Sequence, residues 1–167
     1  MAELLKRQYT VVDIEGITLS SHRNFPKGRF SRRHNCIRKI CFEFWDNSTQ
    51  SLEFRPCVAW HDLDDVERRS FSYCKKHIHG LPFNPRLSSS CTNSVKMIEQ
   101  LLKHKQADVI LYKGGQLERD LADKLQIECR NLEEFGVPKF PAGIHNPEAE
   151  VHFFREEFLK IVSKSDV

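Results

Sequence analysis

The sequence lacks the long apolar runs that mark membrane proteins and secreted precursors. None of its 167 residues falls in a stretch close to the roughly 20 apolar residues of a membrane span. The N-terminal residues also lack the hydrophobic core of a signal peptide. These absences argue against a membrane protein and predict an intracellular one, cytoplasmic or nuclear. The length suits a single domain over residues 1–167, which is enough chain to bury a core.

Closely paired cysteines are also absent. The six cysteines lie at positions 36, 41, 57, 74, 91 and 129. No two are separated by the two residues typical of many zinc and redox sites, so we expect free thiols, several of them in the core. An alternative zinc site can be drawn from four residues, namely Cys74, His77, His79 and Cys91. Their spacings match no common structural pattern, and zinc is therefore disfavoured.

Acidic residues are missing from one segment, residues 21–39, which is predicted to be a basic insertion or hairpin. This segment holds seven cations in 19 residues. A proline and a glycine predict a loop in its first half. A solvated surface is one interpretation, but the two interleaved phenylalanines favour contact with a phosphate backbone and stacked bases. We expect Arg29, Arg32 and Arg33 to bind phosphates of a single-stranded nucleic acid.

Hydrophobic periodicity predicts an α/β fold. Strands are expected over residues 8–15, 36–46, 50–57 and 107–115. Helices are expected over residues 61–77, 94–105, 116–125 and 147–162. Three consecutive strands open the domain, which favours an antiparallel meander. The later alternation of helices and a strand favours a mixed sheet with helices packed on its faces.

Two carboxylates end the first predicted strand, within the sequence YTVVDIEGITL at residues 9–19. Asp13 and Glu15 should point to the same side, because residues i and i+2 of a strand share a face. Two like charges held together in a partly dry place are costly, and something positive must offset them. The candidates are a divalent metal ion, a Lys or Arg partner, or water at an exposed strand end.

Four segments in this order resemble the motifs of the DEDDh group of 3′–5′ exonucleases, the proofreading-exonuclease branch of the ribonuclease H-like fold. The segments are Asp13-Ile14-Glu15, His79-Gly80-Leu81, Lys113 to Glu118, and His145 to Glu150. The first is similar to the group's Asp-x-Glu strand, and the second to its substrate loop. The third resembles a motif in which an Asp lies in the first turn of a helix. The fourth has the spacing of its final His and Asp.

The resemblance implies a ribonuclease H-like domain that removes nucleotides from the 3′ ends of single-stranded RNA or DNA. It implies a two-ion site for Mg²⁺ or Mn²⁺, with the ions about 4 Å apart. The implied metal ligands are Asp13, Glu15, Glu118 and Glu150, with His145 as the general base. The implied substrate-binding residues are His79, Gly80, Leu81 and Lys113.

Three positions depart from the family pattern. Glu118 and Glu150 stand where the family has aspartates, and Lys113 stands where it has a histidine. An extra methylene moves a carboxylate by roughly 1 Å or more, which can disturb a metal pair, and Lys113 could pair with a carboxylate in place of metal. These departures support a competing hypothesis, a catalytically degenerate domain that binds nucleic acid or a protein partner. The retained Asp13, Glu15 and His145 support activity.

Overall fold

The computed structural model describes residues 2–19, 34–56, 59–83, 91–141 and 146–165. Its centre is a sheet of five strands in the order β3-β2-β1-β4-β5. The strands are β1 (Tyr9–Leu19), β2 (His34–Phe44), β3 (Thr49–Glu53), β4 (Val109–Tyr112) and β5 (Glu128–Asn131). β1 pairs antiparallel with β2, and β2 with β3, whereas β4 runs parallel to both β1 and β5. The predicted α/β class and the antiparallel arrangement of the first three strands are confirmed.

Within the described residues, five α-helices accompany the sheet. They are α1 (Ala2–Leu5), α2 (Asp65–Cys74), α3 (Cys91–His104), α4 (Gln116–Leu125) and α5 (Pro147–Ser165). The bounds of α4 agree with those expected from the sequence. In the part of the chain that is described, no helix is both long and apolar enough to cross a membrane.

The central strand β1 is buried on both faces. Val11 belongs to a core cluster with Val151, Phe154 and Phe158 of α5. Val12, its neighbour, belongs to a second cluster that includes residues of α3 and α4. Because successive side chains alternate between faces, β1 carries helices on both sides of the sheet. The polar residues Thr10 and Asp13 of β1 are therefore held among packed elements.

A β-bulge interrupts the pairing of β1 with β2 immediately after Glu15. Glu15 lies opposite Lys39, but Gly16 lies opposite Ile37, so Arg38 is the extra residue of β2. A Cβ atom at Gly16 would overlap the backbone of Cys36, and only glycine allows the strands to come this close. Beyond the bulge, β1 packs against α2 through Ile17. The bulge thus divides the acidic part of β1 from an apolar part.

The helix expected over residues 61–77 is divided into three pieces. A short 3₁₀ turn, Trp60–Asp62, precedes α2, whose N-terminus is capped by Asp64 in a capping box with Glu67. A wider π-helical turn, Lys75–His79, follows α2 and ends at Gly80, which has a φ of 68°. This left-handed residue stops the helix and directs the chain into residues 81–83.

Candidate active site

Three carboxylates meet beside the central strand. Asp13 and Glu15 come from β1, and Glu150 comes from the first turn of α5. One oxygen atom from each lies within 4.8 Å of the others. The two strand residues share a side because of the strand period, and packing of α5 against β1 brings Glu150 to them. Predicted metal ligands from opposite ends of the chain are therefore neighbours.

The carboxyl group of Asp13 is partly enclosed by its neighbours. Its Oδ2 atom is buried and has no hydrogen-bond partner in the described part of the chain. Burial, followed by the neighbouring Glu15, raises the pKa of Asp13 well above its usual range. Glu150 and Glu118 raise this pKa further. The site therefore strongly favours the addition of positive charge, either as a proton or as a cation.

Glu118, the fourth predicted ligand, lies beside this group but is bound differently. It is in the first turn of α4, is 5% exposed, and its Oε1 accepts a 3.0 Å hydrogen bond from the Ile14 amide. Among the described residues, it is not part of the three-carboxylate group. Burial raises the pKa of Glu118 to about 7, with Glu15 and Glu150 also raising it. The resemblance implies that four carboxylates converge. Among the described residues three of them do so, and Glu118 lies beside them.

A glycine makes this placement of Glu118 possible. Gly115 has a φ of 125°, and a Cβ atom at this position would overlap the Glu118 carboxylate. Both glycines after β4 adopt positive φ angles that end the strand, and the absence of a side chain at Gly115 leaves room for the Glu118 carboxylate. The sequence KGGQLE at residues 113–118 indicates this arrangement through its two adjacent glycines. Hydrophobic periodicity alone does not predict that Gly115 and Glu118 lie in contact.

Lys113, which replaces the family's histidine, pairs with a carboxylate outside the cluster. Its Nζ lies 2.9 Å from Glu133 Oε1, and its side chain is 10% exposed. Asn131 supports this arrangement by accepting hydrogen bonds from the amides of Gly114 and Glu133. The ion pair anticipated for Lys113 is present, but Glu133 is its partner, and the substrate-binding role of Lys113 stays a prediction.

The predicted substrate loop is a compact turn. The Leu81 amide donates a 2.9 Å hydrogen bond to Nδ1 of His79, and Gly80 between them is left-handed. Burial lowers the pKa of His79 to about 4, and the cations Arg38 and Lys39 lower it further. His79 is therefore neutral near neutral pH and acts as the acceptor that shapes this turn.

Lys39 is a site residue that sequence reasoning missed. It faces Glu15 across the β1–β2 pair, and its Nζ lies 2.7 Å from Oε1 of Glu148. Glu148 precedes Glu150 by two residues, so a cation lies at the margin of the carboxylates. Lys39 belongs to the basic segment in the sequence, but only the strand register reveals that it faces Glu15.

Several predicted residues lie outside the described part of the chain. These are His145, Arg29, Arg32 and Arg33. The side chain of Cys91, a zinc candidate, is also outside it. Two other zinc candidates, Cys74 and His79, make contacts that do not involve a shared metal site. Cys74 is buried in the core cluster under α2, and His79 uses Nδ1 within its own turn. The cysteines described as free thiols are Cys36, Cys41, Cys74 and Cys129.

The three carboxylates fit a hard divalent cation. Mg²⁺ binds through few carboxylate oxygens and keeps waters and phosphate oxygens in its remaining positions. The buried Oδ2 of Asp13, which has no donor among the described residues, is an oxygen that such an ion would satisfy. Soft ligands such as thiolates are not part of this group.

Comparison with protein-family models and with curated proteins identifies no relative of this chain. No protein-family model matches the chain, and no curated protein matches it either. The geometry of the carboxylates and their surroundings is therefore the basis for assigning a function.

Proposed function

We propose that this protein is a metal-dependent 3′–5′ exonuclease with a ribonuclease H-like fold, acting on single-stranded RNA or DNA. The observation that carries the proposal is the convergence of Asp13, Glu15 and Glu150 within 4.8 Å. Holding these like charges together costs stability. Hydrolysis of phosphodiesters by a pair of metal ions requires carboxylates that converge from distant segments. A catalytic requirement thus accounts for an arrangement that folding alone disfavours.

The fold supports the same proposal. Asp13 and Glu15 lie on the central strand of a mixed five-stranded sheet whose first three strands are antiparallel. This architecture is compatible with the ribonuclease H-like fold that the sequence motifs resemble. It also places the start of α5, which carries Glu150, next to the acidic part of β1.

The proposed chemistry assigns separate tasks to the residues. Asp13, Glu15 and Glu150 would hold Mg²⁺ or Mn²⁺. The bound ions would supply positive charge to the scissile phosphate and to the oxygens that enter and leave. His145 would accept a proton from the attacking water, a role that rests on the resemblance. Asp13 must lose its proton for ions to bind, so affinity for metal should increase as the pH rises.

The test is stepwise shortening of single strands in Mn²⁺. We expect a 5′-labelled strand to give a ladder of products one nucleotide apart, and a 3′-labelled strand to release labelled mononucleotide immediately. A circular single strand of the same composition is the matched control, because it has no end and should stay intact. Cleavage of the circle would indicate an endonuclease and would contradict the proposal.

A second candidate function is supported by the position of Glu118. Its Oε1 accepts a hydrogen bond from the Ile14 amide, and it stays outside the three-carboxylate group. This favours a degenerate ribonuclease H-like domain that binds nucleic acid or a protein partner without cleaving it. Binding of single strands with no shortening in either Mg²⁺ or Mn²⁺ would select this candidate.

The basic segment provides a prediction that does not depend on catalysis. We expect simultaneous replacement of Arg29, Arg32 and Arg33 by Gln to weaken binding to single strands. Loss of three phosphate contacts should reduce the slope of log affinity against log salt concentration by about two, at roughly 0.7 per contact. RNA and DNA should be affected almost equally, because phosphate contacts carry no base information. Binding measured at several salt concentrations checks this prediction.

The matched control replaces three exposed lysines on α3 and α4, namely Lys96, Lys103 and Lys124. It removes the same formal charge from another surface and should leave the slope almost unchanged. An equal reduction in both triple variants would mean that only net charge matters, and the basic segment would then be an ordinary solvated surface.

A further inference from the structure

Two neighbouring cavities lie between α2, the end of β3 and residues 81–83. The first has a volume of about 310 Å³ and the second about 260 Å³. Arg38, Leu81 and Pro82 line both of them. We call this continuous surface the Arg38 groove. It lies directly after the His79–Leu81 turn, so it adjoins the predicted substrate loop.

An exposed tryptophan forms one wall of the Arg38 groove. Trp60 is 41% exposed although it packs edge-on against Phe83, with ring centroids 5.0 Å apart. Phe83 packs in the same manner against the buried Phe71. The Trp60 ring is therefore anchored to the core on one side while part of its surface stays open. Aromatic surfaces of this kind stack with the bases of single-stranded nucleic acids.

The rest of the Arg38 groove is rich in cations. Arg38 is only 3% exposed, and its guanidinium donates to two carbonyl oxygens, those of Phe54 and Pro82. Lys75 lines the first cavity and Arg55 the second, and both are exposed. One carboxylate, Glu53, also lines the second cavity. Cations therefore outnumber acids along the groove, which suits a polyanion.

We propose that the Arg38 groove binds a segment of single-stranded nucleic acid, with a base against Trp60 and phosphates at Lys75 and Arg55. The combination of an aromatic surface and cations matches the two parts of a nucleotide, a planar base and an anionic phosphate. This inference rests on the proposed function, which supplies the class of ligand, single-stranded nucleic acid. It adds a second binding surface for that ligand. A strand seated there would reach the carboxylates past His79 and Leu81.

Tryptophan fluorescence tests the inference directly. The chain has two tryptophans, Trp45 and Trp60, so Trp45→Phe leaves Trp60 as the only reporter. The background also carries Asp13→Asn, and EDTA is present, so that no strand is degraded. We expect saturable quenching of Trp60 by short oligothymidylate. In the same background, thymidine monophosphate should bind at least tenfold more weakly than the oligonucleotide.

Substitutions in the groove should change the affinity itself, measured by anisotropy of a labelled oligonucleotide. We expect Trp60→Ala to weaken binding by roughly tenfold, as expected for loss of one stacked base, and Trp60→Phe to restore part of it. Replacing Lys75 and Arg55 together by Gln should weaken binding and lower its salt dependence. Trp45→Ala is the matched control, because Trp45 is 40% exposed and lies after β2, away from the groove.

The results separate this inference from the exonuclease proposal. If the oligonucleotide binds but does not change Trp60 fluorescence, the proposal that the Arg38 groove binds nucleic acid is wrong, even if the wild-type protein degrades strands in Mn²⁺. If oligonucleotide quenches Trp60 but the wild-type protein degrades no strand in Mn²⁺, the exonuclease proposal is rejected and the groove proposal is retained. Equal competition by inorganic polyphosphate would also overturn the inference, because it would show that charge alone, without base stacking, determines binding.

Discussion

Replacing Asp13 by Asn is expected to reduce kcat/KM for nucleotide release in Mn²⁺ by at least about a thousandfold. The amide keeps the size of the side chain but removes the charge that would hold the ion. Stabilisation of a phosphoryl group by a metal ion is worth several kcal/mol, and about 1.4 kcal/mol corresponds to a factor of ten in rate. The measurement compares rates for the purified wild type and the variant.

Two controls make the Asp13 result interpretable. Asp123→Asn changes an exposed carboxylate on α4 and should leave the rate unchanged. Thermal unfolding should show Asp13→Asn to be at least as stable as the wild type without metal, because burial raises the pKa of Asp13 and makes its ionised form unfavourable. Unchanged degradation by the variant would point to a contaminating nuclease or to another site.

Replacing Glu118 by Gln is expected to stabilise the metal-free protein by as much as about 3 kcal/mol near pH 8. Burial raises the pKa of Glu118 to about 7 from a usual value of 4.5. Ionisation of this carboxyl is therefore harder in the folded chain than in the unfolded chain. The Gln side chain stays neutral and can still accept the hydrogen bond from the Ile14 amide.

The sign of the pH dependence follows from proton binding. Between the unfolded and folded pKa values of Glu118, the folded state holds more protons, so stability falls as the pH rises from about 4.5 to about 7. The gain from Glu118→Gln should therefore be small near pH 4.5 and should reach its full value above about pH 7. Urea denaturation in EDTA at several pH values measures both effects.

Glu133→Gln is the matched control for Glu118→Gln. The ion pair with Lys113 lowers the pKa of Glu133, so its ionised form is favoured in the folded state. Its replacement should destabilise the protein slightly near pH 8, with the effect lost as the pH falls through the folded pKa. Destabilisation by Glu118→Gln near pH 8 would mean that its carboxylate is balanced by a charge outside the described residues.

Local patterns were sufficient for most of the elements and for one part of the site. The alternation in β2 and the helical stripe of α3 arise from neighbours in the sequence, and both elements were predicted. The strand period alone placed Asp13 and Glu15 on the same side. The β5 strand was missed because its four residues are exposed or half-buried, so they have no apolar run or clear alternation.

The tertiary structure decided everything that depends on long-range pairing. The register of β1 with β2, including the bulge at Arg38, places Lys39 opposite Glu15 and directs Arg38 into the groove. The packing of α5 and α4 against β1 brings Glu150 to Asp13 and joins Glu118 to the Ile14 amide. A shift of one residue in the register would move every side chain to the opposite face. Such registers depend on the packing of whole elements, whereas periodicity reports only how each element is patterned by itself.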